Sequence, residues 1–222
     1  MTQALLPRQK LEREFALDPS LLLYLPLYEL DGASFMSRDH YGHLCTVTGA
    51  IWTLQGRIFD GLNDFISCGT INITAPLTVE VWWNHDTIIG GTDYIFFQQV
   101  GFTGWFLRTA VGGPPVTLQM ALLDGVGQHL FNTVKAWTLV EAGTWFHTAF
   151  TFDGIDGIWY IDGVAETPIN DPFVMVTGAV ALTVGRNANP MDGLIGEARI
   201  YNRVLFPHEI QRNYLASKWR YK

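Results

Sequence analysis

Residues 144–164, TWFHTAFTFDGIDGIWYIDGV, constrain the fold more than any other stretch of the chain. Side chains of an extended strand alternate between two faces. Phe146, Thr148, Phe150 and Phe152 therefore share one side, and Trp145, His147, Ala149 and Thr151 share the other. Both sides are largely apolar, so both need cover, and the strand is expected inside a stacked pair of sheets rather than at a wet edge. Asp153-Gly154 and Asp156-Gly157 supply turn residues, and Asp162-Gly163 repeats that chemistry after Ile158–Ile161. The chain should reverse direction twice within this stretch.

The remaining sequence reads as a meander of short strands with turn signals between them. Apolar or alternating runs occur at Leu21–Leu30, Leu44–Val47, Phe65–Cys68, Leu77–Trp83, Tyr94–Phe97, Trp105–Leu107, Gln119–Leu123 and His129–Leu139. Further runs follow at Phe173–Val176, Ala181–Val184 and Leu194–Tyr201. Pro26 cannot donate to a ladder and predicts an edge or a bulge in the first run. Pro207–Leu215 reads as one short helix, with Pro at its start and Ile210 and Tyr214 on one face. Glycine-rich stretches at Gly90-Gly91 and Gly112-Gly113 predict rim loops, where binding residues commonly sit. Residues 1–19 stand apart as an arm. Pro7 can open a short helix there, and Leu5, Leu6, Leu11 and Phe15 are its apolar side chains. The expected organisation is an arm over 1–19, one domain over 20–217 and a basic, aromatic tail over 218–222.

Composition excludes several function classes. At 222 residues, 48% hydrophobic and only 16% charged, the chain fits one large all-β domain with a substantial core. A net charge of −7 with 14 scattered Lys and Arg disfavours nucleic acid as a partner. No apolar run is long enough to span a bilayer, and the first residues lack a secretory pattern, so synthesis in the cytoplasm is expected. Cys45 and Cys68 fall in separate strands and are expected as buried free thiols, a disulfide across the sandwich being the alternative. No Gly-x-Ser-x-Gly occurs. His40 and His43, with Asp39, are too few ligands for zinc, and His147 reads as a hydrogen-bonded core histidine.

A resemblance rests on the same hairpin. Gly143-Thr144-Trp145-x-His147-x-Ala149, then Phe152-Asp153-Gly154, then Tyr160-x-Asp162-Gly163, resembles the central hairpin of the laminin-G-like, concanavalin A-like jelly-roll family. Residues 21–30, 56–66, 77–83, 182–187 and 191–214 resemble the family's other segments in the same order. The resemblance implies an all-β fold: a two-sheet antiparallel jelly-roll β-sandwich with one short C-terminal helix and an N-terminal arm. The family includes glucanases that use Glu-x-Asp-x-x-Glu on one strand, and no such string occurs here, so a non-enzyme is expected. It also implies one structural calcium, for which Asp31, Asp39, Asp64, Asp192 and Glu197 are the candidate donors. Among 8 Trp, 8 Tyr and 14 Phe, the glycan-binding candidates are Trp82, Tyr94 and Trp105 with Asn84, Asp86 and Gln98. The expected role is a structural or adhesive protein on a phage virion surface, as capsid decoration or tail component. Its arm would join it to other copies of itself or other virion proteins. A lectin-like module binding cell-surface glycan is the alternative, and a glycoside hydrolase the third reading.

Overall fold

Residues 18–87, 92–110, 115–186 and 188–222 are described by the computed structural model. The arm side chains Leu5, Leu6, Leu11 and Phe15, and the loop glycines Gly90, Gly91, Gly112 and Gly113, lie outside them. In chain order the first strands are β1 (Leu21–Pro26), β2 (Ser34–Met36), β3 (Leu44–Thr48), β4 (Ile51–Thr53), β5 (Gly56–Asp60) and β6 (Phe65–Ser67). Longer strands follow: β7 (Leu77–His85), β8 (Tyr94–Val100), β9 (Thr103–Thr109), β10 (Val116–Leu123), β11 (Gln128–Trp137), β12 (Trp145–Phe152) and β13 (Asp156–Ile161). The last are β14 (Val164–Ala165), β15 (Ile169–Asn170), β16 (Thr183–Gly185) and β17 (Asp192–Tyr201), before helix α1 (Pro207–Tyr221).

These strands make two antiparallel sheets stacked as a sandwich. A nine-stranded sheet runs β14-β13-β12-β7-β17-β5-β4, with β1 on β17 and β15 on β13. An eight-stranded sheet runs β11-β10-β9-β8-β16-β6-β3-β2. Leu77, Val79, Val81 and Trp83 of β7 and Phe146, Phe150 and Phe152 of β12 point inward, against Ile66, Trp105, Leu107, Leu118, Met120, Leu122 and Phe131 of the other sheet. Burying each such side chain contributes about 1.5–3 kcal/mol. Strand β12 lies between β7 and β13 and is buried along its whole length, as its two apolar faces require. Phe152 pairs with Gly157, and the Asp153 carboxylate closes the turn by accepting the amides of Ile155 and Asp156 at 2.8 and 2.7 Å. Gly157 answers to packing as well as to the turn, since a Cβ there would stand 2.5 Å from the Phe131 ring. Pro26 ends β1, an edge strand whose one partner is β17.

Helix α1 runs past the expected end at Leu215, and past the expected boundary at 217/218, because its buried stripe continues. Ile210, Asn213, Ala216, Ser217 and Tyr221 recur at helical spacing and all face the nine-stranded sheet. Tyr221 stacks on Trp82 and Trp145 at centroid distances of 4.5 and 4.6 Å, so residues 218–221 pack on their own domain. The start is fixed by Glu209, which accepts the Phe206 amide at 2.8 Å and pairs with Arg203, itself bound to Asp18 at 2.7 Å. No helix of the described residues is long and apolar enough to cross a membrane.

A charged cluster is sealed between this helix and the sheet. Glu80, Glu197, Arg199 and His147 are each at most 2% exposed. Arg199 lies 3.6 Å from the Glu80 carboxylate and 2.5 Å from that of Glu197, and Asn213 of the helix donates to Glu80 at 2.8 Å. His147 is the expected core histidine, but neither ring nitrogen makes a hydrogen bond; its nearest charged neighbour is Glu80, at 3.9 Å. Its aromatic neighbours Trp82 and Tyr214 offer ring faces instead of acceptors.

The cluster makes stability depend on pH in a defined direction. Burial, with Arg199 adding, pushes His147 down from 6.5 to about 3. The unfolded chain then takes up the proton first, and this contribution to stability is lost as pH falls through that window. Burial pushes Glu80 up from 4.5 to about 7 against the pull of Arg199, so its contribution is lost as pH rises from 4.5 to 7. The two oppose each other between 4.5 and 6.5, and below 4.5 only His147 acts. Melting curves should therefore show Tm falling between pH 4.5 and pH 3, with a flatter acid limb in His147→Phe. Equal limbs in the two proteins would remove His147 as a cause.

Candidate functional site

The two sheets differ in what covers their outer faces. The outer side of the nine-stranded sheet is closed by α1 through two apolar clusters, one around Tyr24, Tyr160, Tyr201 and Ile210, the other around Tyr28, Trp82, Trp145 and Tyr221. Among the described residues no helix packs on the outer side of the eight-stranded sheet. Period-two alternation, reset in β8 by a bulge between Tyr94 and Phe96, puts Tyr94 and Phe97 of β8, Phe106 and Arg108 of β9, Gln119 and Ala121 of β10 and Asn132 of β11 on that side.

Register then assembles a polar row across four strands. Tyr94 pairs with Arg108, Arg108 with Gln119, and Gln119 with Asn132. Arg108 donates through Nη1 to the Tyr94 hydroxyl at 3.2 Å and through Nε and Nη2 to Gln119 Oε1 at 2.9 and 2.6 Å. Gln119 Nε2 donates in turn to Asn132 Oδ1 at 2.9 Å. Beside the row, Phe97 and Phe106 stack, and the Arg186 guanidinium lies 3.7 Å over the Phe97 ring and 4.7 Å over Tyr94. Arg186, Phe97, Phe65, Gln99 and Thr183 line a surface groove of about 340 Å³. None of the eight strands contains an Asp or a Glu, and among the described residues neither Arg108 nor Arg186 has a carboxylate within ion-pair distance.

The expected glycan-binding residues do not form one site. Tyr94 alone is on this side, buried beneath the guanidinium groups of Arg108 and Arg186. Trp105 and Gln98 point inward, where Gln98 accepts the Trp105 indole at 3.1 Å and donates to the carbonyls of Ile71 and Val180. Trp82 and Asn84 lie under or beside α1, the first hydrogen-bonded to Ser217 at 2.8 Å and the second to the Gly143 carbonyl at 2.7 Å. Asp86 is exposed just beyond β7. Residues that sequence reasoning passed over were marked by alternation, since Phe106 and Arg108 share a side opposite Trp105 and Leu107, and Thr117 and Gln119 interrupt an apolar strand.

The five candidate calcium donors are likewise dispersed, and as a set they do not fit one ion. Asp39 is buried and its oxygens accept the amides of Tyr24, Tyr41 and Gly42 at 3.0, 3.0 and 3.1 Å. Asp31 accepts the Gly32 amide, and Glu197 is sealed beneath α1 with Arg199. Asp64 and Asp192 share one edge through Asp60, which pairs with Asp192 and donates its amide to Asp64 at 3.0 Å. Among the described residues no group of three or more His, Cys, Asp and Glu side chains is arranged to hold a metal. His43 is committed to the Leu22 carbonyl at 2.9 Å and His40 stacks on Tyr41, so the His-x-x-His pair does not converge on an ion.

Comparison with known proteins agrees with this architecture. Residues 60–211 match the family model described as the concanavalin A-like lectin/glucanases superfamily. No curated protein sequence matches the chain. Domain 4 of an extracellular GH43 arabinanase from Geobacillus stearothermophilus, solved in complex with arabinotriose, is similar with a TM-score of 0.67 and 19% identity, over 86% of this chain and 97% of that one. The receptor binding domain of botulinum neurotoxin D is similar with a TM-score of 0.68 and 14% identity, over 89% of this chain and 53% of that one. The binding domain of botulinum neurotoxin DC, in complex with rat synaptotagmin II, gives 0.67 and 14%, over 89% and 51%. The chain thus spans about half the length of the toxin domains. At these identities the likeness is one of fold, whereas the family match runs through both sheets and into α1, and the chain belongs to the concanavalin A-like lectin/glucanases superfamily.

Proposed function

We propose that this protein is a non-catalytic, carbohydrate-binding adhesion module that presents the open face of its eight-stranded sheet to a glycan bearing acidic groups. The observation that carries this reading is the row Tyr94–Arg108–Gln119–Asn132, flanked by the ring-mounted Arg186, on a sheet whose strands hold no carboxylate. A guanidinium held flat against a ring keeps its N–H edges for a carboxylate or sulfate. The amides of Gln99 and Asn132 and the hydroxyl of Thr183 suit sugar hydroxyls, and Phe65 and Phe97 give the groove apolar walls. Glycoside hydrolysis needs two carboxyl groups flanking the scissile bond. Glu80 and Glu197 do share a sheet face, but both are sealed beneath α1 around Arg199, which supports binding without cleavage.

Calorimetric titration with an acidic polysaccharide such as alginate or a sulfated glycan, beside a neutral glucan, tests the reading. Arg186→Ala and Arg108→Ala should each weaken binding to the acidic polymer about tenfold or more, given about 1.5–3 kcal/mol for a charge-assisted hydrogen bond. No new reducing ends should form. Undiminished binding by both variants, or turnover lost in Glu80→Gln, would sink the reading.

The setting in this proposal is the surface of a phage particle, as capsid decoration or tail component, with residues 1–19 reaching another copy or another virion protein. Its support is the apolar spacing of Leu5, Leu6, Leu11 and Phe15. Deleting residues 1–19 should leave a folded protein that no longer assembles, as read by light scattering. Assembly unchanged by the deletion leaves the glycan-binding module without that setting. Calcium enters the proposal only as a stabiliser of the edge where Asp64 and Asp192 lie. A rise in Tm on adding calcium, reversed by a chelator, supports it, and a Tm indifferent to both removes it.

A further inference from the structure

The two cysteines lie on neighbouring strands of one sheet, not on opposite layers of the sandwich. Thr46 pairs with Ser67 in the antiparallel β3/β6 ladder, and one step along that register sets Cys45 opposite Cys68. The kind of pair follows from where the amides point. Cys68 donates its amide to the Leu182 carbonyl at 2.9 Å, toward the β16 side. Val47 donates to the Ala33 carbonyl on the β2 side at 2.9 Å, and Cys45, two residues earlier and paired with Phe35, points its amide the same way. The two cysteine amides thus turn away from each other. That marks a non-hydrogen-bonded pair, in which Cα atoms stand about 4.5 Å apart and side chains approach most closely. A disulfide accepts Cα separations of about 4.4–6.8 Å. Both side chains point into the core, 0% and 2% exposed, and the Cys45 thiol donates to the His43 carbonyl at 3.6 Å.

We propose that Cys45 and Cys68 form a dithiol–disulfide site that closes by exchange with a small-molecule disulfide such as oxidised glutathione. One cysteine, as thiolate, attacks a sulfur of oxidised glutathione and releases one glutathione, leaving a mixed disulfide. The second cysteine then displaces the remaining glutathione. The protein loses two hydrogens, and they leave on two glutathione thiols. Entry is from the short edge strand β2, three residues long with Ser34 and Met36 exposed, whose release uncovers Cys45. The neighbouring Cys45 thiol and then burial push the Cys68 thiol up, so closure should quicken as pH rises. Once formed, the bond ties β3 to β6, and Phe65 of β6 is one wall of the groove on the outer side.

The test incubates the full chain with oxidised glutathione at pH 7 and pH 9 and follows intact mass, non-reduced peptide maps and Tm. Expected are a loss of two hydrogens, a peptide linking Cys45 to Cys68, faster closure at pH 9, and a Tm higher by about 5–10 °C that dithiothreitol reverses. Cys45→Ser should form no internal link and show no such rise. Two thiols still titrating in denaturant after the incubation, glutathione adducts that never resolve into the link, or a linked form with a lower Tm would each overturn the proposal.

Discussion

The central strands β7 and β12 are buried along their whole length, and the structure is arranged around covering both of their faces. On one side the eight-stranded sheet does so, through side chains such as Trp105, Met120 and Phe131. On the other side α1 does so, with Ile210 and Tyr221 closing over Ala149, Trp82 and Trp145. Once the helix is committed to the nine-stranded sheet, the broad sheet face that no helix covers, among the described residues, is the outer side of the eight-stranded one. The surface proposed for binding is the one that this arrangement leaves uncovered by α1.

The charge distribution follows the same division. Arg199, Glu80 and Glu197 sit where an apolar lid removes water, and although the guanidinium neighbours both carboxylates, burial still pushes Glu80 up to about 7. Burial, with the charge of Arg199 adding, keeps His147 neutral at ordinary pH. This is a cluster that fixes how α1 seats, since Asn213 and Ser217 of the helix bind Glu80 and Trp82. Glu80 and Glu197, on adjacent strands, are 1% and 2% exposed.

Much of the fold was legible because it is written in local signals. The hairpin of β12 and β13, the second turn at Asp162-Gly163 and the edge position of Pro26 each follow from alternation, turn chemistry or a missing amide donor. The site was less so, for a physical reason. Tryptophan serves cores and sugar surfaces alike, and Trp82 and Trp105 went to two different cores, while Phe106 and Arg108, one and three residues on from Trp105, turned to the outer side with Phe106 buried under the Arg108 guanidinium. Which acids meet depends on cross-strand register, which set Glu197 beside Trp82 and Arg199 beside Glu80 across β17 and β7, a relation no spacing along the chain reveals. The helix length was missed because Asn213 and Ser217 count as polar in a pattern yet are buried by hydrogen bonds to the sheet.

The net charge of −7 and the cationic open face are compatible because they act over different distances. Screening confines an exposed charge to about 10 Å at 0.1 M salt. The Asp residues bordering this sheet sit in turns and beyond strand ends, such as Asp93 just before β8 and Asp124 just after β10, while the strands beneath Arg108 and Arg186 contribute no carboxylate. On the proposed reading, an acidic polymer would therefore be repelled by the molecule as a whole at low salt and attracted only where it meets the eight-stranded sheet. Association then gains little from long-range steering, and retention rests on contacts made by the held guanidinium edges and amides. A surface of this kind favours a multivalent polymer with acids at regular intervals over a single small anion, because each contact is short in range and modest in strength while several can be made along one sheet.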